Sequence, residues 1–285
     1  MSIRDEDFQD IIEYYDRTRF DYRVAWDNSP TPAVHFGFYD REGLKHTEAL
    51  MNTNRVLADW VAIQAGERVL DAGCGKGGSC FWLALHRGVE ATGITPVQSQ
   101  IDDCKQQAAT LGLEDRTHFL RADYCATPFE AASFDVVWAC ESLCHAPEKS
   151  RFYREAYRLL RPGGRLIIAE YLRQTRPLSE PGEQQLRAWL HRWAITDIDT
   201  RDEHLDHARK AGFTDVAIED VTANTQVSLR NLHRNSSNWL WLSKILLALR
   251  LRSRVQHANM YASIVQYEAL RAGHWFYAVI SARKA

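Results

Sequence analysis

The sequence predicts an α/β fold with a doubly wound sheet, and three observations carry that expectation. From residue 65 to about residue 171, short β-branched runs alternate with longer helical stretches, the pattern of parallel strands joined by crossover helices. A cluster of glycines, in VLDAGCGKGG (69–78), follows the first of those runs, where the chain leaves the sheet. Two flanking regions, 1–60 and 223–272, break the alternation and read as helical additions.

In chain order, the first 60 residues carry Phe8, Ile11, Ile12 and Tyr15, then the proline-broken loop NSPTPAVHFGFYD, then a helix over 47–60. They are expected to cap the strand ends. Strands are expected at 68–71, 90–94, 117–122, 134–139 and 165–170, each a short apolar run bounded by turn residues. Helices fill the gaps at 78–86, 96–111 and 149–160, the last stopped by RPGG. A helix over 204–211 ends at Gly212, and strands at 216–221 and 275–282 bring the sheet to seven. The intervening 223–272 is mostly helical and holds Trp239, Leu240, Trp241, Ile245, Leu246 and Leu249 among several arginines.

At 285 residues and 45% hydrophobic, the chain can bury a sizeable core. A net charge of −2 and an isoelectric point near 6.6 provide no overall attraction to nucleic acid or anionic membrane, so a small-molecule partner is expected. The start, MSIRDEDFQDIIEYYD, is acidic and lacks the basic and then apolar order of a secretory signal. The apolar run 239–251 is interrupted by Ser243, Lys244 and Arg250 and is too short to span a bilayer. A cytoplasmic protein is expected, with no nucleic-acid partner and no stable membrane insertion; homo-oligomerisation is left open. Six irregularly spaced cysteines, Cys74, Cys80, Cys104, Cys125, Cys140 and Cys144, are expected to be reduced. Cys140 and Cys144 lack the second pair of a structural zinc site, so no metal is expected. His204 and His207 read as part of a solvated helix face.

The glycine loop leaves two cofactors open. Gly73, Gly75 and Gly78 match G-x-G-x-x-G, which also serves NAD-type sites. A dinucleotide site would place an acid for the ribose at the end of the second strand, yet that position is Thr95. Asp71, just before the loop, would repel a pyrophosphate but suits a cationic ligand such as S-adenosylmethionine.

VLDAGCGKGG, GITPVQSQ, RADY, SFDVVWACESLCHAPEK and LLRPGGRLIIAEY, in this order and spacing, resemble the S-adenosylmethionine-dependent methyltransferases of the seven-stranded class over about residues 60–172. Within that class ESLCHAP, YYD with HFGFY, and YEALRAGHWFYAVISARK resemble the sterol and tocopherol methyltransferases. The resemblance implies a Rossmann-like mixed sheet of seven strands, with a helical N-terminal cap and a helical C-terminal insertion. It divides the chain into a lid (1–60), a cofactor-binding domain (61–222 with 273–285) and an acceptor-side lobe (223–272). Carried over residue by residue, it implies that Asp71, Gly73 and Gly75 line the methionine end of the cofactor. Thr95 and Gln100 would lie by the ribose, with Gln98 as the alternative to Gln100. Asp123 would meet the adenine amino group, with Ala122 and Tyr124 along the ring.

The reaction expected is methyl transfer to a small molecule, most simply to a carbon of a hydrophobic isoprenoid-like acceptor, prenyl diphosphates included, or of an aromatic one. An N- or O-methyltransferase is the alternative, and an NAD-type oxidoreductase the alternative of another class. A carbon acceptor needs aromatic faces for a carbocation and a base for its proton. Glu141 and His145 after the fourth strand, with Tyr15 and His35 in the cap, are the catalytic candidates; Tyr14, Trp26, Phe36, Phe38 and Tyr39 are further aromatics there. Burial would raise the pKa of Glu141 and fit it for proton transfer. Arg230, Arg234, Arg250, Arg252 and Arg254, with His233, read as a solvated basic face or as a clamp for a phosphorylated acceptor.

Overall fold

The computed structural model describes residues 8–26 and 35–285. Seven strands form one sheet in the order β3-β2-β1-β4-β5-β7-β6, with β1 Arg68–Ala72, β2 Glu90–Thr95, β3 Thr117–Arg121, β4 Phe134–Cys140, β5 Leu160–Arg173, β6 Thr214–Asp220 and β7 Trp275–Arg283. β7 runs antiparallel between β5 and β6, and the other pairings are parallel. The sheet is therefore mixed and doubly wound, as expected. α1 (Gln9–Trp26) and α2 (His46–Trp60) precede it. The crossovers are α3 (Gly78–Arg87), α4 (Gln98–Leu111), α5 (Lys149–Leu159), α6 (Glu180–Leu190) and α7 (Arg201–Ala211), while α8 (Thr222–Ala248) and α9 (Arg254–Arg271) lie between β6 and β7.

The central strands are apolar on both faces because helices cover both sides, and alternate residues feed two cores. On β4, Val136 and Trp138 face one core while Val137 and Ala139 face the other; on β5 and β7 the same alternation separates Ile167, Tyr171 and Tyr277 from Ile168, Leu172 and Phe276. Residues in register share a face, so Asp71, paired with Trp138, lies on the first side. All six cysteines are free, and Cys74, Cys80, Cys104 and Cys144 are buried. No helix among the described residues is long and apolar enough to cross a membrane.

Three local expectations are corrected. β5 runs from Leu160 to Arg173 instead of 165–170, because Tyr171, Leu172 and Arg173 find partners in Tyr277, Phe276 and Trp275 of β7. α6 went unforeseen: SEPGEQQLRAWL is mostly polar, and its helix rests on a proline in the first turn and on burial of Leu186, Trp189 and Leu190. His204 is not on a solvated face. It is fully buried, its Nδ1 2.9 Å from the Tyr153 hydroxyl, and burial pulls its pKa down to about 3. His207 instead sits 3.0 Å from an Asp199 carboxylate oxygen.

Candidate active site

Winding reverses between β1 and β4, so the C-terminal ends of these neighbours open onto one crevice. The loop after β1 enters it with Gly73, Gly75 and Gly77 at φ of +99°, +51° and +78°. A Cβ on Gly73 would lie 2.3 Å from Ser142 Cβ in the loop after β4, and one on Gly77 would meet Cys104, Phe119 and Phe81 at 3.0 Å. Gly75 differs, because nothing lies within 4 Å of the place its side chain would take. Its backbone borders open space, the condition for a ligand to rest on the loop. Gly77 is the N-cap of α3 and Gly78 its first residue, where the helix is expected to begin.

Asp71 is buried at the end of β1, and Cys80 Sγ donates to its Oδ2 at 3.4 Å. Burial lifts its carboxyl to about 7. A cationic group placed beside it would bring that value back down, so the site favours a positive ligand. Across the crevice, the Thr95 hydroxyl donates to Gln100 Oε1 at 2.8 Å, which couples the end of β2 to the first turn of α4. Gln98 instead turns to Asp102, donating at 2.8 Å on the exposed side. Asp123 accepts from Cys125 N at 2.7 Å and so caps its own turn with Oδ1. The Tyr124 hydroxyl donates to Ser142 O at 3.0 Å, which ties the turn after β3 to the loop after β4.

That loop carries Glu141 and His145. Glu141 adopts φ +51°, a left-handed conformation uncommon for a residue with a side chain. Its Oε1 accepts from Phe36 N at 2.7 Å and from the Tyr277 hydroxyl at 2.8 Å, and its Oε2 from the Tyr171 hydroxyl. Burial raises Glu141 to about 7 against these three donors. His145 places Nδ1 3.2 Å from Ala194 O and Nε2 3.1 Å from the Tyr15 hydroxyl. A carbonyl only accepts, so Nδ1 carries the proton and Nε2 presents its lone pair to Tyr15. Burial lowers His145 to about 4 and keeps it neutral at pH 7.

His35 stands apart from this pair. Its Nδ1 donates to Phe36 O at 3.1 Å, the same carbonyl that takes the Thr53 hydroxyl of α2, and its buried Nε2 has no partner among the described residues. Burial brings it to about 4. Of the cap aromatics, Phe36 packs against Tyr171 and Tyr277, and Phe38 joins the core. The Trp26 side chain lies outside the described residues. Arg230, Arg234, Arg250 and Arg254 are exposed, while Arg252 is half-buried and donates to Gln256 O at 3.1 Å.

Two features escaped the sequence reading. Glu170 is fully buried on β5, where its carboxyl accepts from Cys144 N and Tyr171 N, both at 2.9 Å, and burial lifts it to about 7. The second is how α1 is held. Tyr14 donates to Asn259 of α9 at 2.8 Å, Tyr15 meets His145, and Asp16 accepts from the Ser99 hydroxyl of α4 at 2.7 Å. Successive helical residues point about 100° apart, so three in a row reach three different elements. α1 thereby links the first turn of α4, the loop after β4 and α9.

Comparison with known proteins agrees with this architecture. The family described as "Methyltransferase domain" matches residues 70–168. A 27-O-demethylrifamycin SV methyltransferase of Amycolatopsis mediterranei is 34% identical over 195 residues, 68% of this chain and 71% of that one. The sterol 24-C-methyltransferase of Saccharomyces cerevisiae is 32% identical over 230 residues, covering 77% of this chain and 57% of its own. In fold, the crystal structure of the [4+2]-cyclase SpnF superposes with a TM-score of 0.79 at 25% identity, over 96% of this chain and 94% of that one. Likeness of this extent to the rifamycin enzyme reflects common descent: the chain belongs to the S-adenosylmethionine-dependent small-molecule methyltransferases.

Proposed function

We propose that the protein methylates a hydroxyl oxygen of a hydrophobic small molecule, with Tyr15 and His145 removing the hydroxyl proton. The single observation behind this is the Tyr15–His145 pair, whose lone pair is aimed at a phenol on the lid. The cofactor supplies an electrophilic methyl group on a sulfonium that leaves as a neutral thioether. Asp71, Gly73 and Gly75 would hold its methionine end, Thr95 and Gln100 its ribose, and Asp123 and Tyr124 its adenine. As the acceptor oxygen gives up its proton to the Tyr15 oxygen, the Tyr15 proton passes to His145 Nε2. An imidazolium in so buried a place is costly, but one positive charge is lost at sulfur as one appears on His145, so the site's net charge is unchanged. Residues 1–60 act as the lid, 61–222 with 273–285 as the cofactor-binding domain, and 223–272 as the acceptor-side lobe.

Carbon methylation of an isoprenoid-like acceptor is the second reading, favoured by Glu141 among the rings of Phe36, Tyr171 and Tyr277 and by the sterol relative. Both Glu141 oxygens are already engaged, so it would have to release a donor before taking a proton. Turnover of methyl-labelled cofactor should be measured against hydroxylated macrocycles, phenols, sterols and prenyl diphosphates. Label appearing as methyl ether supports the oxygen reading, and label confined to new carbon–carbon bonds overturns it.

A further inference from the structure

The α8–α9 hairpin carries a surface that methyl transfer does not use. α8 buries Thr225, Ser228, Leu229, Ser236 and Ser243, and Ser243 Oγ lies 2.9 Å from His257 Nδ1 of α9. At the helical spacing, the opposite face reads Val227, Asn231, Arg234, Asn238, Trp241, Ile245 and Leu249: largely polar in its first half and apolar in its last three turns. On that face Trp241 (59%), Ile245 (47%) and Leu249 (62%) stay exposed, continued by Leu251 (74%) in the turn beyond the helix, a contiguous apolar patch rather than scattered single residues; Trp239 is exposed on another side of α8.

Charge is segregated at the same place. Between Asp220 and Glu268 there is no acidic residue, whereas Arg230, Arg234, Lys244, Arg250, Arg252 and Arg254 fall within that stretch of a chain whose net charge is −2. Four of these, from Lys244 to Arg254, flank the apolar tip. An apolar helix end with basic flanks and an exposed indole matches the water–lipid interface, where tryptophan is favoured and anionic headgroups pair with arginine and lysine. A second copy seated on this patch would set two cationic tips against each other, which like charge disfavours.

We propose that the tip of the α8–α9 hairpin docks reversibly on an anionic lipid surface, with Trp241, Ile245, Leu249 and Leu251 entering the headgroup region and Lys244, Arg250 and Arg254 pairing with the headgroups. The chain's overall balance gives no long-range attraction, so the contact is local. No described helix is able to span the bilayer, so docking is peripheral.

Co-sedimentation of the full chain with vesicles tests this. Vesicles of phosphatidylcholine plus phosphatidylserine should retain the protein with a blue shift in tryptophan fluorescence, and phosphatidylcholine alone should not. The triple variant Trp241→Ser, Ile245→Ser, Leu249→Ser alters only exposed side chains, so its melting curve should match the wild type while retention falls at least about tenfold. Lys244→Gln with Arg250→Gln should weaken retention roughly 25-fold, at about fivefold per basic group, and raising the salt should weaken the wild type in the same direction. Equal retention on neutral and anionic vesicles, or none on either, overturns the proposal. So does a concentration-dependent dimer that the triple variant dissolves while vesicle binding is unchanged.

Discussion

Tyr15 and His145 stand 130 positions apart in the chain and 3.1 Å apart in the fold, and their tautomer is set by a carbonyl that belongs to neither. If they form the proton relay, Tyr15→Phe should lower kcat by about 10²- to 10⁴-fold with little change in Tm. The double variant with His145→Ala should then be no slower than the worse single one, since a relay fails as a unit. Steady-state kinetics on the acceptor found above checks both. The glycines make a contrasting pair. Gly73→Ala should destabilise the protein, because the new methyl meets Ser142 at 2.3 Å. Gly75→Ala, with open space beside it, should lose only about 1–2 kcal/mol for its left-handed backbone yet raise KM for the cofactor at least about tenfold. Urea denaturation beside cofactor titration separates the two effects.

At the scale of elements, the contacts of Tyr14, Tyr15 and Asp16 that fasten α1 are made through side chains rather than through a backbone ladder. Such contacts open at low cost, as the lid proposed above requires. Ser99→Ala removes the fastening on α4 without touching the acid–base groups. It should speed cofactor release about two- to tenfold, the worth of one hydrogen bond, while kcat stays within about twofold. Stopped-flow dissociation measures this directly. Glu141 plays a related part for the segment that leads into α2, since Phe36 N is held through its carboxylate to tyrosines on β5 and β7. The same fold carries a cyclase, so the overall architecture leaves reaction type to these few side chains.

For the molecule as a whole, six buried groups oppose one another with pH. Asp71, Glu141 and Glu170 are raised to about 7, so each contributes stability below its ordinary pKa that is lost as pH rises to 7. His35 and His145, lowered to about 4, and His204, lowered to about 3, contribute stability above 6.5 that is lost as pH falls. Between pH 4.5 and 6.5 the slopes cancel, and the cofactor-free protein should show nearly level stability from these groups. Glu170→Gln removes one acid. Relative to that variant, the wild type should gain about 3 kcal/mol between pH 7 and pH 4.5, at about 1.4 kcal/mol per unit. Urea denaturation across that range checks it, and a constant difference would contradict the burial of an ionisable carboxyl at Glu170.

Much of the scaffold is legible in the sequence. Strand positions follow from short apolar runs whose neighbours settle their conformation; the glycine loop alone leaves the cofactor open, and its class follows from Asp71, Gln100, Asp123, the absence of an acid at Thr95 and the resemblance carried by motifs such as ESLCHAP. Each run and each motif is a local property, readable within a few residues. What lay beyond reach depends on distant chain. The last residues of β5 are strand because β7, about a hundred positions later, lies beside them, and α6 is helix because a core was ready for Leu186 and Trp189. His204 looked solvated among charged neighbours until Tyr153 of α5 covered it. The same holds for the chemistry: sequence named Glu141, His145 and Tyr15 as candidates, while tertiary packing occupied both oxygens of Glu141 and aimed His145 at Tyr15. Protonation depends on burial and partners, and those are supplied by segments that meet only when the chain has folded.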